Sequence, residues 1–124
     1  MKKKILIIED DLILALSVEM MLKKIGFNHI EKADTGEEAL EIIKPFTPDV
    51  LLVDINLGAG MSGIETVKKI QESMQVPALY VTGNSDCYFR TLAEQTNFIG
   101  YLIKPITLRE LRDVLSTLLV SEVN

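Results

Sequence analysis

Short apolar runs alternate along the chain with longer segments whose apolar residues recur at helical spacing. Ile5 to Ile8, His29 to Ala33, Val50 to Ile55, Ala78 to Thr82 and Tyr101 to Ile103 read as strands, the second of them weakly patterned. Leu12 to Ile25, Glu37 to Ile43, Ile64 to Met74, about Asp86 to Gln95, and Leu108 to Val120 read as helices. Thr35 with Glu38, Ser62 with Glu65, and Thr107 with Glu110 have the spacing of capping boxes, so the starts of those helices are well marked. Gly26 closes the first helix, and Pro45 with Pro48 separates the second helix from the third strand. The chain therefore predicts a strand followed by a helix, repeated five times.

Near-continuous apolar strands alternating with helices imply a parallel sheet covered by helices on both faces. Right-handed crossovers restrict its topology to a doubly wound α/β sheet. The 124 residues suit one domain, 1–124, with no second core. A content of 48% apolar and 25% charged residues is that of a globular chain and argues against disorder. The net charge of -5 argues against direct nucleic-acid binding over a broad surface. The apolar part of "MKKKILIIEDD" is too short for a signal peptide, and no later run reaches membrane-spanning length. Cys87 is the single cysteine, so no internal disulfide forms and a reducing cytoplasm is the expected compartment. The lone histidine, His29, reads as a surface residue at a strand start.

In such a sheet, ligands bind outside the carboxyl ends of the strands, where the winding reverses. The first strand exits into Glu9, Asp10 and Asp11, the third around Asp54, the fourth at Thr82 and the fifth at Lys104. If the winding reverses beside the first strand, Glu9, Asp10 and Asp54 share one crevice. Three carboxylates repel one another, which a bound cation or protonation must offset. With no His or Cys nearby in sequence, all-oxygen ligation favours Mg2+ over zinc. Asp11 reads instead as the cap of the first helix. Lys104 alone is compatible with an ordinary solvated lysine, and Thr82 alone is uninformative. Opposite an acid cluster, beside Pro105, the lysine reads as a fixed cation for an anionic ligand. Metal, lysine and hydroxyl together suit a phosphoryl group, with a carboxylate as the nucleophile. Asp54 stands on a different strand from Glu9 and Asp10, so it is the expected acceptor and they are the expected metal ligands.

The segments "ILIIEDD", "PDVLLVDINL", "MSGIE", "LYVTG" and "YLIKPI", in this order and spacing, resemble the receiver domain of two-component response regulators over essentially the whole chain. The resemblance implies a flavodoxin-like (βα)5 fold with strand order 2-1-3-4-5. It implies phosphoryl transfer from a histidine kinase or phosphotransfer histidine to Asp54, with Mg2+ on Glu9, Asp10, Asp54 and the backbone carbonyl of Asn56. It further implies that Thr82 and Lys104 contact the phosphoryl oxygens, that Tyr101 is the switching aromatic, and that the bond from Lys104 to Pro105 is cis. The expected output surface is the fourth helix, fifth strand and fifth helix, through which a homodimer or downstream partner would bind. One departure stands out. The usual pattern after the acceptor passes through a proline and reaches the glycine matching Gly63 one residue sooner, whereas here "GAG" lengthens the loop.

Gly58, Gly60 and Gly63 also match the dinucleotide-binding spacing G-x-G-x-x-G. That fingerprint belongs in the first strand-to-helix turn, which here is "EDD", and it requires an acid about 20 residues further on. "PALYVTG" offers none, so the glycines read as a flexible loop with Gly63 in the first turn of the third helix. Two other functions compete with the phosphoacceptor: a non-phosphorylated interaction module of the same fold, and a phosphohydrolase acting through Asp54. The second would want an acid where Asn56 stands. A phosphoacceptor of this kind assists its own phosphorylation and dephosphorylation and is otherwise no enzyme. The first helix, "LILALSVEMMLKKI", has more apolar positions than one buried stripe requires, which fits either a helix buried over most of its surface or one with a docking face for the phosphoryl donor. Only "SEVN" follows Val120, so the chain reads either as a complete single-domain regulator or as a piece of a longer one.

Overall fold

Residues 3–58, 60–83 and 87–123 are described by a computed structural model, the side chains of 87 and 119–123 excepted. Five parallel strands alternate with five helices: β1 (Lys4–Ile8), α1 (Leu12–Ile25), β2 (His29–Ala33), α2 (Gly36–Phe46), β3 (Val50–Asp54), α3 (Gly63–Gln71), β4 (Ala78–Thr82), α4 (Cys87–Ala93), β5 (Phe98–Ile103) and α5 (Leu108–Val123). The strand order is β2-β1-β3-β4-β5, so the winding reverses beside β1, as the family resemblance implies.

Period-two alternation divides the apolar strand residues between two cores. Leu6, Ile8, Leu51, Val53 and Tyr80 face one side, packing with Ala39 and Ile43 of α2 and with Ile64, Val67 and Ile70 of α3. Ile5, Ile7, Val50, Leu52, Leu79 and Val81 face the other, with Ala15, Val18 and Leu22 of α1 and Leu111 and Leu115 of α5. Burial on both faces is why these strands read as unbroken apolar runs. The two edge strands are less buried, with Ala33 the one fully buried residue of β2 and none in β5, and His29 is exposed at the start of β2.

Several boundaries differ from the sequence expectation, four elements most informatively. β5 begins at Phe98, three residues before Tyr101, because Gly100 does not break the strand. A β-carbon at Gly100 would stand 2.9 Å from both Leu79 and Val114, so this glycine admits close packing. α2 continues through Pro45 to Phe46, the proline falling in its last turn and Thr47 closing it at φ 46°. α3 ends at Gln71 rather than Met74, since the Gln71 amide reaches past the helix end to donate to the Val76 and Asn97 carbonyls, 2.8 Å each. α4 is shorter than read from the sequence, and Asp86, its expected start, lies outside the described residues, as does Ala59 in the glycine loop. The boxes at Ser62 and Thr107 are reciprocal, whereas Glu38 reaches back to the Asp34 amide instead of Thr35. Among the described residues no helix is long and apolar enough to cross a membrane.

Candidate functional site

The register sets the site. Ile8 pairs with Val53 across β1 and β3, so the next residues, Glu9 and Asp54, leave the sheet at the same level. Asp10 follows at the turn, and one oxygen from each of the three carboxylates falls within 4.8 Å of the others. Glu9 and Asp54 are buried and Asp10 is exposed, so the cluster opens to solvent on one side. Asp11 is turned away from it. Its carboxylate accepts from the Ile13 and Leu14 amides, 3.0 and 3.2 Å, and caps α1 as expected.

Lys104 enters from the end of β5. Its Nζ donates to Asp54 Oδ2 at 2.9 Å and to Glu9 Oε1 at 3.0 Å, spanning two carboxylates whose side chains are 6% and 7% exposed. The Lys104 amide donates to the Thr82 carbonyl at 2.8 Å, which ties the base of this side chain to the end of β4. The peptide bond between Lys104 and Pro105 is cis. Burial pushes the Glu9 carboxyl up to about 7, against the lowering influence of the Asp11 amide and Lys104. Proximity to Asp54 pushes it further in the same direction. Burial alone would lower the Lys104 ammonium, but its bonds to Asp54 and Glu9 outweigh this and hold it above its ordinary value.

Asn56 and Thr82 lie at the same end of the sheet, and Tyr101 sits two residues earlier than the partner of Thr82 in register. Asn56 is exposed, and its amide donates to Asp54 Oδ1 at 3.0 Å. Thr82 is fully buried at the end of β4, one residue beyond the partner of Asp54 in register, Val81. Tyr101 is half-buried on β5, its ring 6.4 Å from that of Tyr80. The Arg90 guanidinium of α4 lies over the Tyr101 ring, 4.9 Å from its centroid. That contact was invisible in the sequence, because Arg90 and Tyr101 belong to different elements.

The glycines of the β3–α3 connection serve local geometry. Gly58 and Gly60 have φ of 61° and 87°, where other residues are strained. Gly63 opens α3 against the exit of β3: its amide donates to the Ile55 carbonyl at 2.9 Å, and a β-carbon there would collide with the Asp54 carbonyl oxygen. The helix can thus begin directly behind the acidic cluster. Residues 5–116 match the family model described as the response regulator receiver domain. The chain belongs to this family. Among its relatives, the chemotaxis protein CheY-3 of Vibrio cholerae serotype O1 is 33% identical over 115 residues, covering 90% of this chain and 88% of that protein. The cell cycle transcriptional regulator CtrA of Caulobacter vibrioides is 32% identical over 82% of this chain, which spans 44% of that longer protein. The N-terminal domain of a response regulator/sensory box/GGDEF protein from Carboxydothermus hydrogenoformans superposes with a TM-score of 0.85 at 32% identity, covering 98% of this chain and 100% of that one. A CheY-like receiver from Methanospirillum hungatei gives 0.86 at 27% identity, covering 96% and 94%. The receiver fold is therefore established by sequence and by structure.

The donors of the acidic cluster fit a hard divalent cation. They are three carboxylates within 4.8 Å, half opened to solvent, with neither nitrogen nor sulfur among them.

Proposed function

We propose that this receiver domain accepts a phosphoryl group on Asp54 from a histidine kinase or a phosphotransfer histidine, and so switches a protein-interaction surface. The observation that carries the proposal is the convergence of Glu9, Asp10, Asp54 and Lys104 from three strands onto one crevice. An Asp54 oxygen, given up by its hydrogen-bond donor, attacks phosphorus as the bond from phosphorus to the donor nitrogen breaks; that nitrogen keeps the bonding pair, and with the other ring nitrogen protonated the step leaves an aspartyl phosphate and a neutral donor imidazole. Mg2+, held by Glu9, Asp10, Asp54 and the Asn56 carbonyl, would supply charge neutralisation for the phosphoryl oxygens. Lys104 keeps its ammonium charged beside Asp54 and can pass from the carboxylate to a phosphoryl oxygen, while Thr82 offers a hydroxyl from the neighbouring strand. With acetyl phosphate and Mg2+, intact-protein mass spectrometry should show one added phosphoryl group, and Asp54→Asn should show none. Undiminished incorporation in that variant would contradict the assignment.

The exposed apolar face of α1 supports donor docking there. Leu12, Ile13, Leu16 and Met20 are exposed, Ile13 to 81%, although they belong to the helix that begins beside the acidic cluster. Ile13→Lys should slow transfer from a protein donor while leaving the reaction with acetyl phosphate unchanged. Unchanged transfer from the protein donor would place the donor face elsewhere, and equal loss with both donors would point to misfolding of the variant.

The signal leaves through Tyr101. Thr82 moving toward the phosphoryl group would vacate space that the Tyr101 ring can enter, removing apolar area from water and reshaping the surface of α4, β5 and α5. The Tyr101 ring resonances should shift when beryllofluoride and Mg2+ mimic the phosphoryl group, and Thr82→Ala should blunt that shift. Unchanged ring resonances at full occupancy of Asp54 would exclude this route.

A further inference from the structure

Glu37 lies in the first turn of α2 and takes no part in the chemistry above. Its carboxylate nevertheless reaches across to the β3–α3 connection. Both Oε atoms lie 3.0 Å from where a β-carbon of Gly60 would sit, and Oε2 accepts from the Met61 amide at 3.4 Å. Gly58, earlier in the same connection, stands against the acidic cluster, with Asp10 Oδ2 3.0 Å from its own missing β-carbon. A side chain at Gly58 would crowd Asp10 and one at Gly60 would crowd Glu37, so the backbone of the connection passes close to both carboxylates.

The base of the connection is closed by the bond from the Gly63 amide to the Ile55 carbonyl, but nothing in its composition stiffens what lies between. It holds no proline and includes two glycines at positive φ. Such a segment loses more conformational entropy on ordering than one with a proline, so an outside contact gains importance. Glu37 is well placed to supply it. α2 and α3 meet where Gly36 has no side chain: a β-carbon there would collide with Thr66 Oγ1 and stand 3.2 Å from Met61 Cε. The start of α2 is therefore seated directly on α3, and Glu37 is carried against the connection by helix packing.

We infer that Glu37 is a positioning residue for the cation site, holding the connection at Met61 so that its backbone keeps its close approach to Asp10 and the Asn56 carbonyl keeps its place. The inference rests on the reading of Glu9, Asp10 and Asp54 as the Mg2+ site. A latch and a mere negative charge near the site make different predictions. Glutamine keeps an oxygen that accepts from Met61 but carries no charge, whereas alanine lacks both.

The test is Mg2+ titration of the metal-free domain by calorimetry, together with amide hydrogen exchange at Met61 in the absence of Mg2+. Glu37→Ala should weaken Mg2+ binding about threefold to tenfold, toward the lower range for groups that orient metal ligands, and should speed exchange at Met61. Glu37→Gln should stay within about twofold of the parent, since Glu37 is exposed and its charge is screened by salt. Equal weakening in both variants would show that charge alone acts and would overturn the latch, as would an alanine variant that binds like the parent. Absence of binding by the parent would overturn the metal reading and this inference with it, an outcome distinct from a parent and alanine variant that bind alike.

Discussion

Gly63→Ala is expected to cost the domain at least about 3 kcal/mol of stability, a value reached only where backbone or core geometry is broken. The added β-carbon would collide with the Asp54 carbonyl oxygen and come within 2.9 Å of the Asp54 carbonyl carbon and the Ile55 Cα. These are backbone atoms at the exit of a central strand, and no rotamer change moves them aside. α3 would have to withdraw, loosening Ile64 and Val67 from the core and breaking the bond from the Gly63 amide to Ile55. Gly83→Ala is the natural comparison, because a β-carbon at Gly83 meets nothing within 4 Å. Urea unfolding should separate the two variants clearly, with Gly83→Ala within about 0.5 kcal/mol of the parent. A Gly63→Ala variant as stable as Gly83→Ala would mean that α3 does not abut Asp54 as described.

Lys104→Met should destabilise the metal-free domain by about 2–3 kcal/mol at pH 8, somewhat below the usual cost of stripping a partner from a buried ion pair. The reduction has two sources: the lysine side chain is 22% exposed, and Glu9 can take up a proton. The pH dependence follows from the same groups. In the parent, the Glu9 carboxyl is raised from 4.5 to about 7 on folding, so the folded state binds more protons than the unfolded state across that window. Stability without metal therefore falls as pH rises from 4.5 to about 7 and has lost this contribution above it. Lys104 acts in the opposite sense: its raised ammonium stabilises the fold at all lower pH and loses its effect only when it deprotonates in strong alkali. Without that cation Glu9 should rise further, so the variant should suffer more at pH 8 than at pH 5.5. Urea unfolding at the two pH values checks this. A loss independent of pH would show that Lys104 contributes packing rather than charge.

The acidic cluster was legible in the sequence because parallel strands buried on both faces appear as apolar runs, and the charge that ends each run marks a strand exit. Glu9, Asp54 and Lys104 could be placed at one end of the sheet from that alone; their bond lengths could not. β2 and the first half of β5 were harder, one because an edge strand needs little apolar patterning, the other because Gly100 serves close packing while resembling a chain break. The glycines from Gly58 to Gly63 have the spacing of a dinucleotide motif by virtue of residue type, whereas their geometric reasons are two left-handed backbones and one close approach. Glu37 left no trace at all. Its contact to Met61 spans 24 residues between elements, and no periodicity records such a reach.

The identity of the phosphoryl acceptor is the centre of the account, and it can be read chemically at a single residue. Borohydride reduces an acyl phosphate to an alcohol, so the accepting aspartate becomes homoserine and the position can be located by peptide mass spectrometry. After reaction of the domain with acetyl phosphate and Mg2+, homoserine should appear at position 54 and nowhere else. Homoserine at Asp10 or another carboxylate, with Asp54 unmodified, would contradict the account.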